Sequence, residues 1–202
     1  MIKTSNRSLS VGEFIEQYGE QDQYELIDGE IVDLEPTGLH EQVIAFLARK
    51  FNVVIDHLDL PYLIPHRCLI RISDTTAFRP DLIVLDQTQL VHEPLWQQQP
   101  VITSNVAIKL IAEVVSTNWQ NDYARKVEDY ALLGVPDYWI VDYLGLGGRE
   151  YIGSPKQPTL TICQLLNEMY EKQLFYRADA VSSVTFPNFS LEVDRIFSAG
   201  QR

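Results

Sequence analysis

Two short, almost continuous apolar runs most constrain the fold of this chain. DLIVLD covers residues 81–86 and VAIKLIAEVVS covers residues 106–116. A strand with one solvated face alternates apolar and polar residues, whereas a strand covered on both faces is apolar throughout. We therefore predict that both runs are central strands of a sheet that has other elements packed on its two faces.

Helical spacing and capping residues predict three helices around these strands. Ser10 and Thr37 are suitable N-caps for the first two helices, and Gly134 with Pro136 ends the third. Between the first two, YELIDGEIVDLEP carries an Asp-Gly turn between two β-rich runs, which predicts a hairpin. The predicted helices cover residues 9–20, 38 to about 57, and 119–133.

Further strands are predicted at RCLIRIS and DYWIVD, and the tail after Gly145 has short β-like runs at YIG, TLTIC and KQLFYRA. The last segment, SLEVDRIFSAG, is typical of a short helix. The order of elements predicts an α/β (α+β) fold with a mixed sheet and helices on its faces. We expect a single domain over residues 1–202, with a core at about 38–142, an N-terminal hairpin and a β-rich C-terminal extension.

Composition excludes several classes of protein. Hydrophobic residues make up 46% and charged residues 22%, as in globular rather than disordered proteins. Apolar runs reach only about six residues, where a membrane span needs about 20, so no membrane partner is expected. The start MIKTSNRSLS lacks the apolar centre of a signal peptide, and Cys68 and Cys163 are far apart. These features predict a cytoplasmic protein with reduced cysteines.

The formal net charge of −12 constrains any nucleic-acid function. There are 16 basic against 28 acidic residues, and no basic run exceeds two residues. Proteins that bind DNA strongly and without sequence preference present basic patches to the phosphates. The net charge therefore argues against that class. It remains compatible with a protein that meets DNA through a local basic patch, or that gathers some of its acids at a cation site.

Asp81 and Glu113 are the first candidate site residues. Asp81 opens one predicted central strand and Glu113 lies towards the end of the other. If the strands are neighbours, the carboxylates meet at one edge of the sheet and, with the carbonyl of Val114, offer the oxygen ligands that Mg²⁺ or Mn²⁺ prefers. The alternative is that both acids are ordinary solvated residues at strand ends.

Lys126 is the third candidate. It shares one face of the predicted helix with Asp122 and Tyr130, because the three residues follow an i, i+4, i+8 spacing. Its flexible side chain could bring the ammonium group back to Glu113 and stabilise charge on a phosphate. The alternative is a surface ion pair between Asp122 and Lys126.

These features together resemble a known family. The Pro80-Asp81 pair and the Glu113 strand are typical of PD-(D/E)xK sites, although Val115 stands where a lysine is usual. The combination resembles the Uma-two family of this restriction-endonuclease-like superfamily, closely over about residues 20–145. The matching segments are YELIDGEI, the helix-opening His40, RPDLIVLD, LIAEVVS, the Asp122-Lys126-Tyr130 spacing and GVPDYWIVD. The resemblance implies a restriction-endonuclease-like core, a metal site at Asp81 and Glu113, and Lys126 in place of the strand lysine.

Five further residues are weighed as supporting members of the site. His40 could act as a base, a ligand or a packing residue, and Glu41 stands where superfamily members place an acid beside the metal. Glu25 is interpreted mainly as a solvated strand acid. Tyr130 is interpreted as a packing residue with a satisfied hydroxyl group. Asp122 is a candidate through its spacing from the lysine.

Three functions are compatible with the sequence. The first is a metal-dependent nuclease that hydrolyses phosphodiester bonds with Mg²⁺ or Mn²⁺, and the family resemblance favours DNA as its partner. The second is a catalytically silent interaction or regulatory module on the same fold, for which the apolar tail segments are candidate homodimer surfaces. The third is hydrolysis of a small phosphorylated metabolite, which needs less basic surface.

Overall fold

The computed structural model describes residues 8–34 and 36–201, and its helices follow the predicted pattern. Ser10 caps the first helix in a capping box with Glu13, and Thr37 caps the second. The third predicted helix begins with a π-helical turn, Asn121–Arg125, before it becomes α-helical. The α-helices are α1 (Val11–Tyr18), α2 (Gly38–Leu58), α3 (Lys126–Leu133), α4 (Arg149–Ile152) and α5 (Val193–Ala199).

The strands form two larger sheets and one small sheet. A six-stranded sheet has the order β11-β10-β9-β8-β6-β3, and a five-stranded sheet has the order β2-β1-β5-β4-β7. The pairs β8–β9 and β4–β7 are parallel and the others are antiparallel. The strands are β1 (Tyr24–Ile27), β2 (Glu30–Asp33), β3 (Tyr62–Leu63), β4 (Leu69–Arg71), β5 (Ala77–Phe78), β6 (Leu82–Asp86), β7 (Val101–Ile102), β8 (Ile108–Val114), β9 (Asp137–Asp142), β10 (Thr159–Leu166), β11 (Met169–Phe175), β12 (Ala180–Val181) and β13 (Leu191–Glu192).

The two apolar runs are central strands of the six-stranded sheet, as predicted. Successive residues of a strand point to opposite faces. Accordingly, Leu82 and Val84 of β6 join a core beneath α2 and α5, whereas Ile83 and Leu85 join a core on the other face that includes Tyr130 of α3. Both faces are thus covered, and the mixed α/β architecture is confirmed.

The N-terminal hairpin is also confirmed, and it joins a second sheet rather than the central one. Asp28 and Gly29 form its turn with positive φ angles of 51° and 82°, as expected for Asp-Gly in a tight hairpin. The sequence predicted one mixed sheet. The structure divides the strands instead, because β1 pairs with β5 and not with a central strand.

The C-terminal extension contains the predicted strands and one unpredicted helical turn. TLTIC and KQLF lie in β10 and β11, and SLEVDRIFSAG contains α5. The β-like interpretation of YIG is wrong, since this segment ends the single helical turn α4. Ile152 is fully buried there, and Gly153 ends the turn with a φ of 84°. Burial of one isoleucine therefore prevails over the local β propensity.

Cys68 and Cys163 are both free and buried. Within residues 8–34 and 36–201, no helix is long and apolar enough to cross a membrane.

Candidate active site

The antiparallel pairing of β6 and β8 brings Asp81 and Glu113 together. Leu82 pairs with Ala112, so the residue before β6 lies beside the last residues of β8. The backbone N–H of Asp81 donates to Oε2 of Glu113 at 3.2 Å. In return, Oδ2 of Asp81 accepts a hydrogen bond from the backbone N–H of Val114 at 2.7 Å. The two carboxylates are therefore held at one edge of the sheet, as the sequence predicted.

Lys126 reaches this pair from the first turn of α3. Its Nζ atom lies 3.1 Å from Oε1 of Glu113, 3.5 Å from Oδ1 of Asp122 and 3.8 Å from Oε2 of Glu25. The side chain of Lys126 is 5% exposed. The alternative of a surface ion pair with Asp122 is therefore wrong.

Glu25 belongs to this buried group, which corrects its interpretation as a solvated strand acid. Its side chain is 1% exposed. Besides Lys126, it meets the backbone N–H of Arg79 at 3.4 Å. The guanidinium group of Arg79 donates to the carbonyls of Tyr24 and Gly19 and so fixes β1 against the start of β6. The sequence places Arg79 two residues before Asp81, but its role was not predicted.

A π-helical turn sets the positions of Asp122 and Lys126. Such turns insert an extra residue into a helix and are frequent at functional sites. The hydroxyl of Tyr138 donates to the backbone carbonyl of Asp122 at 3.0 Å. The guanidinium group of Arg125 spans from Asp129 to the hairpin turn, where it contacts Asp28 at 2.9 and 3.0 Å. The Arg125–Asp129 pair follows the i, i+4 spacing of a helix. The contacts of Tyr138 with Asp122 and of Arg125 with Asp28 join distant segments and have no signal in that spacing.

Tyr130 packs and hydrogen-bonds as predicted. Its hydroxyl group donates to Oε1 of Glu113 at 2.9 Å. Its ring makes edge contacts with Phe78 and Tyr138, at centroid distances of 5.7 and 5.0 Å. Glu113 thus receives donors on both oxygen atoms, from Lys126 and Tyr130 on one and from a backbone N–H group on the other.

His40 lies between two of the predicted ligand atoms. Its Nε2 atom is 2.8 Å from the carbonyl oxygen of Val114 and 3.2 Å from Oδ2 of Asp81. Burial alone would lower the pKa of His40, but the hydrogen bond and charge of Asp81 outweigh it and raise the pKa to about 9. His40 is therefore a hydrogen-bonding cation here. Glu41, 59% exposed, approaches only to 3.9 Å from Nδ1 of His40 and is not brought into the group.

Carboxylates outnumber cations in this group. Burial raises the pKa of Glu25, Glu113 and Asp122, and the charge of Lys126 opposes that rise. Burial would lower the pKa of Lys126, yet the surrounding acids raise it well above its ordinary value, so the ammonium group stays charged. We call this set the acid–lysine cluster: Glu25, His40, Asp81, Glu113, Asp122 and Lys126.

The cluster offers a suitable donor set for a divalent cation. Asp81, Glu113 and the Val114 carbonyl supply hard oxygen atoms, and Mg²⁺ commonly takes one or two carboxylates and completes its shell with water and substrate. A cationic group, the His40 ring, already contacts two of these oxygens. Across the described residues, no three or more His, Cys, Asp or Glu side chains form a ready metal site. The two carboxylates and the Val114 carbonyl are the oxygen donors that would fit such a cation here.

A solved structure shares the fold. It is a crystal structure of a protein described as a "putative nuclease" of DUF820 from Anabaena variabilis, with a TM-score of 0.71 and 16% sequence identity. The similarity covers 95% of this chain and 99% of that one. At this identity the likeness concerns the fold.

A comparison with curated proteins found no match. The family model of Uma2, described as "putative restriction endonuclease", matches residues 11–194. This range includes every residue of the acid–lysine cluster, and the chain belongs to the Uma2 family.

Proposed function

We propose that this protein is a metal-dependent nuclease that hydrolyses phosphodiester bonds at the acid–lysine cluster. The observation that carries the proposal is the buried Lys126, whose Nζ atom lies 3.1 Å from Glu113, beside Asp81. An ammonium group and two strand-borne carboxylates at one sheet edge form a common arrangement for phosphoryl chemistry. The family match supports the same class of reaction.

The proposed reaction adds water across a P–O bond. A bond forms between the water oxygen and phosphorus, the bond from phosphorus to the leaving oxygen breaks, and a proton passes from the water to the leaving group. A divalent cation held by Asp81, Glu113 and the Val114 carbonyl would supply Lewis-acid stabilisation of the phosphoryl charge. Mg²⁺ and Mn²⁺ both suit these oxygen ligands.

The residues of the chain have separate roles in this proposal. Lys126 stabilises negative charge on the phosphoryl oxygens, because its ammonium group is already desolvated and oriented. Glu113 and Asp122 hold that ammonium group at 3.1 and 3.5 Å. Tyr130 orients Glu113 through its hydroxyl group. His40 holds the Asp81 carboxylate and the Val114 carbonyl close together through its Nε2 atom.

DNA is the favoured substrate because the family model is described as "putative restriction endonuclease". The test is a cleavage assay with Mg²⁺ or Mn²⁺ on single- and double-stranded DNA, comparing the wild type with Asp81→Asn and Lys126→Ala. Each substitution removes one charged group from the centre and should lower the rate by about 100-fold or more. Nucleotides and small phosphate esters are assayed in parallel.

Lys172→Ala is the matched control, because Lys172 lies exposed on β11. It should keep the wild-type rate. Thermal unfolding curves must show that each variant is folded at the assay temperature. Unchanged cleavage in both Asp81→Asn and Lys126→Ala would reject the assignment of the site, and hydrolysis of nucleotides alone would redirect the proposal to a small substrate.

A catalytically silent module on the same fold is the second candidate. The contact of His40 with Asp81 and the Val114 carbonyl favours it, since the ring already satisfies two of the proposed ligand oxygens. This candidate predicts no stoichiometric binding of Mn²⁺. Binding that is lost in Asp81→Asn would exclude it.

A further inference from the structure

The acid–lysine cluster opens into a cavity of about 660 Å³ that we call the cleft. Six residues of α2 line it, and four of them follow a regular spacing of four: His40, Ile44, Ala48 and Asn52. At a rise of 1.5 Å per residue, this stripe extends for about 18 Å. The cluster lies at the His40 end, so the cleft continues well beyond the proposed reaction centre.

The middle of the cleft is apolar. Ile44 and Ala48 of α2 line it with Ile64 and Pro65, which follow β3, and all four side chains are half-buried. Ile44, Ala48 and Ile64 also pack against the core beneath α2, which makes this wall rigid. Enzymes that act on nucleotides commonly hold an unpaired base against apolar or aromatic side chains.

The charges of the cleft do not suit a long row of phosphates. Asp22, Asp33 and Glu41 line it in addition to the acids of the cluster. Both lining arginines already have partners, since Arg67 binds Asp22, and Arg79 binds backbone carbonyls. A protein that follows the backbone of a duplex or of a long single strand needs basic groups along its whole path, so this cleft suits a single phosphate held at the cluster. Of the other basic side chains that line the cleft, Lys126 and His40 belong to the cluster, and His66 is exposed.

We propose that the cleft binds an unpaired nucleotide of single-stranded DNA. The reacting phosphate lies at Asp81, Glu113 and Lys126, and the adjoining base packs against Ile44 and Ala48. A cavity of this size matches a small ligand rather than a duplex. The inference rests on the proposed function, because the cluster supplies the position of the phosphate.

The test measures binding and cleavage separately. A short fluorescein-labelled DNA strand and the same strand in a duplex are titrated with the full-length protein in Ca²⁺, and binding is followed by fluorescence anisotropy. Cleavage of both substrates is then measured in Mn²⁺. The single strand should bind about tenfold more tightly than the duplex, since only an unpaired base can reach the apolar wall.

Two variants narrow the cleft at different points. Ala48→Phe fills its middle, and Asn52→Trp narrows its far end at an exposed position where folding is not at risk. Each should raise the Kd for the single strand by about tenfold, which corresponds to about 1.4 kcal/mol, because the added ring occupies the space of the base. Val53→Phe is the control, because Val53 is 61% exposed on α2 and does not line the cleft. It should leave the Kd unchanged.

The outcomes separate this inference from the proposed function. Preferential binding of the single strand that both variants weaken, without any cleavage by the wild type, supports the inference and rejects the nuclease. Equal or tighter binding of the duplex overturns the inference even if DNA is cleaved. An unchanged Kd in folded Ala48→Phe and in Asn52→Trp also overturns it.

Discussion

Two buried carboxylates on neighbouring parallel strands have very different surroundings. Asp137 of β9 accepts hydrogen bonds from Nε1 of Trp139 at 2.8 Å and from the hydroxyl groups of Ser183 and Thr185 at 3.2 and 3.1 Å. All three donors are neutral. Glu113 of β8 contacts the charged Lys126 and lies among other carboxylates beside the cleft.

The comparison shows that burial alone does not identify a reactive carboxylate. At Asp137, neutral donors satisfy one acid and tie the segment after β12 to the central sheet. At Glu113, several acids compete for one ammonium group, so the local charge is unbalanced. Such an arrangement lowers the free energy of unfolding unless a bound cation, alone or together with an anionic substrate, compensates the excess negative charge. The following predictions test this difference.

The largest effect is expected when the lysine is removed. Lys126→Met leaves Glu113, Asp122 and Glu25 buried together without their cation. Breaking a buried ion pair in this way typically costs about 3–5 kcal/mol of the free energy of unfolding. Urea denaturation at neutral pH measures the loss, and Lys172→Met on the exposed β11 strand should change stability by less than about 0.5 kcal/mol. A similarly small loss for Lys126→Met would mean that the charge of Lys126 does not stabilise the buried carboxylates of the cluster.

A smaller effect, with a defined pH dependence, is expected at Asp137. Burial raises its pKa from 3.8 to about 6, against the opposing hydrogen bonds of Trp139, Thr185 and Ser183. A folded-state pKa above the unfolded value favours the folded protein below pH 3.8, and this contribution is lost as the pH rises through 6. Between these two pH values the contribution of Asp137 to the free energy of unfolding changes by about 3 kcal/mol.

Asp137→Asn removes that ionisation and keeps an acceptor for Trp139. The free energy of unfolding of the variant, relative to that of the wild type, should therefore be about 3 kcal/mol higher at pH 7.5 than at pH 3.5. Urea denaturation of both proteins at the two pH values measures the gain. The same difference in stability at both pH values would show that Asp137 does not titrate in this range.

The smallest effects are expected from the loss of single hydroxyl donors. Tyr130→Phe should cost about 2 kcal/mol, because it removes a hydrogen bond to a carboxylate in the unbalanced cluster. Ser183→Ala should cost about 1 kcal/mol, because Asp137 keeps two other donors. Thermal or urea denaturation compares them. A larger loss of stability in Ser183→Ala than in Tyr130→Phe would contradict the proposed difference between Glu113 and Asp137.

The sequence predicted the centre of the candidate site because local rules determine it. Pro80-Asp81 and Glu113 lie at the ends of strands that are apolar throughout, and antiparallel pairing brings such ends together. The i, i+4 spacing places Lys126 on the face of Asp122. These rules placed the three residues, and the family resemblance then favoured a shared site over solvated acids and a surface ion pair.

The remaining features depend on contacts between distant segments. Glu25 is buried because Arg79 and Lys126 cover it, and its own strand gives no sign of this. The π-helical turn accepts a hydrogen bond at the carbonyl of Asp122 from the hydroxyl group of Tyr138, which belongs to a different element. Division of the strands into two sheets likewise depends on the pairing of β1 with β5, a two-residue strand too short for a sequence signal.

Calorimetric titration with Mn²⁺ tests the central claim most directly, since it compares the two carboxylates without assuming a substrate. The account predicts stoichiometric binding to the wild type, loss of binding in Glu113→Gln and unchanged binding in Asp137→Asn. Binding that survives Glu113→Gln, or no binding to the folded wild type, would contradict the assignment of a cation site to the acid–lysine cluster.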